Sequence, residues 1–448
     1  VRAPYTAAPG LGLSPAQQLA VIGLCALTAL LSHLALAVFN DGVRPFLLDF
    51  VQGRSTRGAT GAVSFGLSAG FVFGLGAPMA LSSGVLNPWL VFLPTDVLGI
   101  LAPRKWLAPL LGGAWGALVV LGLKGVNGAA HQLPVDFLTA MRHMATPILY
   151  LFTLFPVLAV SKQFGRLHGA VAGVLELSLV VVTLRVWPGV FAGAPAMAAG
   201  VLLLVGMAVV RDLRAARAVG SVRAMPQGGG DTGGADPMAS LFGASAARLR
   251  RHLPLFMALG AGVCLLAQLR ILGGGEAAGF LLAKGRAAEA AQVDFYRALG
   301  FLPLVATTAL ASGAYGIAGF TLVFPVGYLL PDPWLALGCG ALLFAVEVLA
   351  LSGIGRALGR LPSVRDSSEQ LRGAIGDTLQ LAVLFGSLLA AQAMGGGLGI
   401  LLVGGLYLLN EAMGRVVVRM AAGPAAVLVG GVLLNVLYWL DLFTPVQS

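Results

Sequence analysis

Charge is scarce in this chain: Asp, Glu, Lys and Arg make up 10% of its 448 residues, against roughly 25% in soluble domains. Water cannot be the solvent for most of such a surface, which excludes an ordinary soluble fold. Histidine and cysteine are equally sparse, at five and three residues. Cys25, Cys264 and Cys339 stand singly inside apolar runs without CxxC spacing, so neither a disulfide framework nor a zinc site is indicated. There is no HExxH or DxxD constellation, and His131 and His143 are separated along a loop. The clustered acids and imidazoles of a membrane-embedded enzyme are therefore missing. None of Lys105, Lys124, Lys162 or Lys284 follows glycine, so no GxxxxGK[ST] phosphate loop exists to power an ATP-driven pump. No basic n-region with a cleavage site precedes the first apolar run, so that helix is expected to stay attached.

What fills the chain instead is hydrophobic residues, 58% of the total, and 63 glycines. A membrane-crossing helix takes about 20 apolar residues. In lipid, helices associate by close backbone approach at small residues. Gly66, Gly70 and Gly74, and also Gly112 and Gly116, recur at four-residue spacing and are expected to form smooth packing faces. The net charge of +10 resides in short loops between apolar runs, the distribution the positive-inside rule produces, so nucleic acid is not an expected partner.

Apolar runs predict spans near 17–39, 62–82, 86–102, 106–123, 145–161, 167–186 and 192–210. A second set follows near 254–272, 297–312, 314–330, 333–352, 374–394, 397–410 and 423–441. The expected fold is an all-α polytopic membrane protein of about 12–14 transmembrane or re-entrant segments, in two halves that suggest an inverted repeat with two broken helices. Residues 1–210 form the first half and 254–448 the second. Between them, 211–253 is basic and Gly-rich and reads as a flexible cytoplasmic linker. The mixed-charge stretch 273–296, with Glu276, Lys284, Arg286, Glu289 and Asp294, reads as a loop on the opposite side.

Two stretches depart from plain membrane helix. Residues 87–99 place Pro88, Pro94 and Asp96 in an apolar run, and 301–315 place Pro303 before Thr307, Thr308 and Ser312. Proline removes a backbone donor, and irregular backbone at membrane depth survives only within protein or beside a water-filled cavity. Both stretches share Phe-Leu-Pro, and paired interrupted helices point to a midplane transport site. Asn87, Thr95, Asp96, Thr307, Thr308 and Ser312 are the candidate solute ligands. A carboxylate at the bilayer centre costs about 2.5–3.5 kcal/mol, so Asp96 and Glu347 are candidates to bind a coupling proton or sodium ion. The structural alternatives are a helix cap for Asp96 and hydroxyls bonded back to their own helix for the threonines. Asn410, Glu411 and Arg44 are candidate gate or coupling residues. For Glu411 a local ion pair with Arg415 is the competing reading, and for Arg44 contact with anionic lipid beside a capping Asp41.

The sequence resembles the YhfT family of bacterial integral membrane proteins from about residue 17 to 442. The resemblance is carried by Asp41-Gly42-Val43-Arg44-Pro45, Ser64-Phe65-Gly66-Leu67-Ser68, Phe92-Leu93-Pro94-Thr95-Asp96-Val97-Leu98-Gly99, Ala306-Thr307-Thr308-Ala309-Leu310-Ala311, Leu409-Asn410-Glu411 with Gly414-Arg415, and Asn435-Val436-Leu437-Tyr438-Trp439-Leu440. It implies a transporter. The functional expectation is an inner-membrane secondary carrier of a small polar solute, without cofactor or metal and not an enzyme, surrounded by lipid and forming a homodimer. A phosphotransferase-like permease subunit and a membrane-embedded enzyme are the alternatives.

Overall fold

The computed structural model describes residues 12–130, 132–187, 192–223 and 237–445, and these are almost entirely helical. The first part of the chain runs α1 (Pro15–His33), β1 (Ala37–Val38), α2 (Arg44–Val51), α3 (Arg57–Phe71), α4 (Ala77–Ser83), α5 (Pro88–Leu101) and α6 (Leu107–Ala130). A π-helical turn, Val72–Gly76, joins α3 to α4. There follow α7 (Phe137–Met141), α8 (Ala145–Phe152), α9 (Phe155–Phe164), α10 (Arg166–Val186), α11 (Gly193–Arg223) and α12 (Pro237–Arg251). The rest comprises α13 (Leu253–Gln268), α14 (Glu276–Ala283), α15 (Ala287–Ser312), β2 (Tyr315–Gly316), α16 (Val323–Leu329), α17 (Pro333–Arg360), α18 (Pro362–Ala412) and α19 (Arg419–Trp439). Seven described helices are long and apolar enough to cross a membrane, or up to eight if the 71° bend between Gly243–Arg251 and Leu253–Gln268 lies within one span. The chain is an all-α polytopic membrane protein.

The two expected breaks move. Residues 88–101 are one helix despite Pro94. Proline at 94 leaves the Leu90 carbonyl without its helical donor. The Trp115 indole N–H from α6 takes that place at 2.9 Å, so the helix continues. Pro303 likewise lies inside α15, and the expected span 314–330 is an extended strand, a loop and the short helix α16. The actual breaks are at Gly84 and Gly313, which end α4 and α15 with φ of 73° and 68°. Glycine adopts this left-handed conformation without steric cost.

These breaks expose an internal repeat. Ala77, Ala80, Leu81, Ser83 and Gly84 align with Ala306, Ala309, Leu310, Ser312 and Gly313. Ser83 Oγ donates to the Met79 carbonyl at 2.6 Å and accepts from Val85 N–H at 3.2 Å. Ser312 Oγ donates to the Thr308 carbonyl at 2.6 Å and accepts from Ala314 N–H at 3.2 Å. The ends of α1 and α13 also match. Ala35 and Arg270 turn left-handed at φ 53° and 57°, and Leu36 and Ile271 donate back to Leu31 and Leu266 at 2.9 Å. The extended residues of the two copies then cross. Ala37 and Val38 pair in parallel with Tyr315 and Gly316, and Leu86 pairs in parallel with Leu272. Equivalent carbonyls accept in both crossings: Leu36 from Tyr315 N–H and Ile271 from Leu86 N–H, each at 2.8 Å.

The halves of the sequence are therefore not halves in space. Elements α1–α6 interlock with α13–α17, while α18 packs against α8, α9, α11 and α19. A Cβ on Gly112 would strike the Cys25 carbonyl of α1, and one on Gly116 would lie 2.9 Å from Ile22 Cα, so that glycine pair forms a helix contact as expected. Gly66 faces open space instead, and the side-chain positions of Gly70 and Gly74 lie outside the described residues. The α18 segment turns back at Gly396, φ 55°, which corresponds to the split expected between 394 and 397. The expected linker is helical up to Arg223 and again from Pro237, because its Ala and Arg are strong helix formers. Its Gly-rich core lies outside the described residues.

Candidate functional site

At the crossing of β1 and β2 the first copy ends α1 and the second ends α15. Asp96, on α5 beneath β1, is fully buried. Its Oδ2 accepts from the backbone N–H of Phe39 at 2.8 Å and Asn40 at 3.0 Å, and its Oδ1 from Ser32 Oγ at 2.8 Å. Three donors replace the water that a buried carboxyl loses. Ser32 in turn donates to the Ala37 carbonyl at 3.1 Å, tying α1 to the strand it feeds. Thr95 is buried beside Asp96. Its hydroxyl receives Thr28 Oγ1 at 3.0 Å and donates to the Phe92 carbonyl at 2.8 Å, so it binds α5 to α1.

Arg44, three residues after Asp41, is buried, which corrects the expectation of contact with lipid headgroups. Its guanidinium donates to Thr308 Oγ1 on α15. A Cβ on Gly316 would lie 3.1 Å from Arg44 Nη2, so the guanidinium also lies against β2. On the far side, Glu347 of α17 accepts from the Tyr315 hydroxyl and, at 3.0 Å, from Phe320 N–H. The Tyr315 ring is enclosed edge-on by Phe256, Phe320 and Phe344 at 5.6–6.0 Å. Residues 264 positions apart thus meet where the two copies cross.

The second crossing, Leu86 with Leu272, has a different set of charges. The expected external loop 273–296 is α14 and the start of α15, and much of it is interior. Glu276, Asp294 and Arg297 are 7%, 1% and 9% exposed. The chain can fold inward here because Gly273-Gly274-Gly275 carries no side chains. A Cβ on Gly275 would collide with Arg297 Nη1, and one on Gly274 with Asp294 Oδ2. Arg297 donates to the Gly274 carbonyl and lies 3.4 Å from Asp294 Oδ1. Asp294 Oδ2 accepts from the Tyr328 hydroxyl at 2.8 Å, which accepts from Gly274 N–H at 2.7 Å. Asn87 belongs to this crossing. It caps α5 by accepting from Leu90 N–H at 3.0 Å and donates to the Gly76 carbonyl at 2.7 Å.

The residues expected from sequence therefore separate into three places. Asp96, Thr95, Arg44, Thr308, Ser312 and Glu347 gather around β1 and β2, and Asn87 lies at the second crossing. The side chain of Thr307 lies outside the described residues. Asn410 and Glu411 lie elsewhere. Asn410 clasps the Val417 backbone through two bonds of 2.8 Å, and Glu411 pairs with Arg415 at 3.0 Å and Arg419 at 2.9 Å on an exposed helix end. Glu411 is thus paired with arginines of its own turn and not with Arg44 in this structure. Sequence reading missed Ser32, Tyr315, Tyr328 and Arg297. The glycine triplet immediately before Glu276 was the available signal for the buried acid cluster.

A family model named YhfT and described as a protein of unknown function matches residues 17–443. The chain is 40% identical over 441 residues to the uncharacterized protein YhfT of Escherichia coli (strain K12), an alignment covering 96% of this chain and 99% of that protein. No solved structure matches. The chain belongs to the YhfT family.

Proposed function

We propose that this YhfT-family member is a secondary carrier of the bacterial inner membrane, moving a small polar solute by alternating access. The observation that carries the reading is the exchange of extended arms between two repeated units, each crossing holding buried charge. Irregular backbone with polar groups at membrane depth is a costly feature. In paired repeats it is the arrangement by which carriers place solute and ion sites on elements that move against one another. The solute binds at the crossing of β1 and β2, beside the Arg44 guanidinium and its partner Thr308, where Ser312 and Gly313 end α15. Asp96 holds the turn after β1 by capping its N–H groups, and acts as a positioning residue. Glu347 does the same for the loop after β2. The parallel pair joins the two units at this point, so an inverted repeat rocking about it opens the site to each side in turn.

The purified protein should be screened for small polar solutes that raise its unfolding temperature, since a ligand stabilises the state it binds. A stabilising solute should then show saturable counterflow in proteoliposomes. Arg44→Gln, correctly folded by gel filtration, should lose both the thermal shift and the counterflow. Linear, non-saturable flux would indicate a channel, and chemical conversion of the solute would indicate an enzyme; either result overturns the carrier reading.

A further inference from the structure

We infer that Glu276 is a reversible proton-binding site of this protein. The inference deepens the carrier reading by giving the coupling proton to the second crossing rather than to Asp96 or Glu347. Asp294 and Arg297 lie one helical turn apart on α15 and neutralise each other, leaving Glu276 as the excess acid of the cluster. It is buried, and its Oε1 has no hydrogen-bond partner. An unpaired buried carboxylate is far costlier than its neutral form, so the site favours uptake of a proton over retention of bare charge.

Water-sized space adjoins this group on two sides. One small cavity is lined by Ser83, Asn87 and Gly275, and another by Ile148, Asp294, Arg297 and Leu379. Glu276 is the residue that lines both. Each has room for about one water molecule. The groups facing Glu276 define its electrostatics. Asp294 and Arg297 come from α15, with Tyr328 of α16 bonded to Asp294. The segments α4 and α8 packed on α14 contribute hydroxyl and apolar side chains and no facing charge. Among the described residues, no group of three His, Cys, Asp or Glu gathers as a metal cage would require. A proton needs only the one free oxygen. Ser83 also caps the break at Gly84, so Glu276 shares its cavity with the end of α4.

The test needs no solute. Infrared difference spectra of the reconstituted protein between acidic and alkaline buffers, in choline chloride, should show a carboxylic C=O band at the acidic end that shifts in deuterated water. Glu276→Gln should remove one component of that band, a component that Asp96→Asn and Glu347→Gln retain. Arg297→Gln removes the cation that favours the carboxylate, so the band's midpoint should move to higher pH by about one unit or more. An undiminished band in folded Glu276→Gln, an unmoved midpoint of the Glu276 component in Arg297→Gln, or replacement of protonation by sodium binding when choline is exchanged for sodium would each overturn the inference. Because the readout is independent of transport, a failed band leaves the carrier reading standing, and absent counterflow leaves the proton site standing.

Discussion

The two crossings share one backbone plan and differ in how charge enters it. At β1 and β2, bulky residues follow the turn: Phe39 and Asn40 occupy the places that Gly274 and Gly275 occupy after α13. Their backbone N–H groups are reached from below by Asp96, both of whose oxygens are satisfied by Phe39, Asn40 and Ser32. At Leu86 and Leu272 the missing side chains admit Asp294 and Arg297 directly onto the backbone, and Glu276 Oε1 and Asp294 Oδ1 are left without hydrogen bonds. The Asp96 bonds suit a rigid support beneath the solute site of the first crossing. The second retains an unsatisfied group beside water-sized space, which suits a site whose charge changes.

The sharpest way to break this comparison is to remove the closing carboxylate. Asp96→Ala strands the backbone donors of Phe39 and Asn40, at about 1–3 kcal/mol for each buried group left unpaired. Unfolding temperature in detergent should fall steeply, whereas Asp96→Asn, which keeps an acceptor, should fall much less. Gly275→Ala should come next. Its Cβ would occupy the place of the Arg297 guanidinium, and overpacking of this kind costs about 1–3 kcal/mol. Its counterpart Asn40→Ala removes bonds to Ser68 at 3.3 Å and Gly42 at 3.0 Å and should cost about 1 kcal/mol. Equal losses at 275 and 40 would refute the claim that the triplet is there to admit Arg297.

Smaller effects test the symmetry itself. Ser83→Ala and Ser312→Ala remove the same cap from equivalent helix ends, so each should cost about 1 kcal/mol and the pair should add. A large difference between them, read from thermal unfolding, would mean the two breaks are not mechanical equivalents. Smallest of all is Glu411→Gln, which breaks pairs with Arg415 and Arg419 on an exposed helix end. Solvent screens such pairs, so unfolding temperature and solute binding should both stay within error.

Periodicity and hydropathy made the membrane class and most helices legible, down to the turn of α18 among glycines. Proline misled because its cost depends on what receives the freed carbonyl, and Trp115 belongs to a different helix. The breaks at Gly84 and Gly313 were written in the Ser-Gly pairs, but a helix stop reads the same whether the chain then enters solvent or crosses a second copy of itself. Asp96 and Glu347 were visible as acids in apolar runs. Glu276 and Asp294 read as loop residues because Lys284, Arg286 and Glu289 lie between them, and only tertiary packing turns the outer two inward. Asn410 and Glu411 show the converse: polar residues at the end of an apolar run that serve a local turn.

The central claim is that the two crossings act in one cycle, the first holding solute and the second a proton. It is tested most directly by comparing Glu276→Gln with the unaltered protein in proteoliposomes, under solute counterflow and under a pH gradient. The account predicts that the variant keeps counterflow, which returns the carrier loaded in both directions, and loses accumulation driven by the gradient. Undiminished gradient-driven accumulation by the folded variant would contradict it.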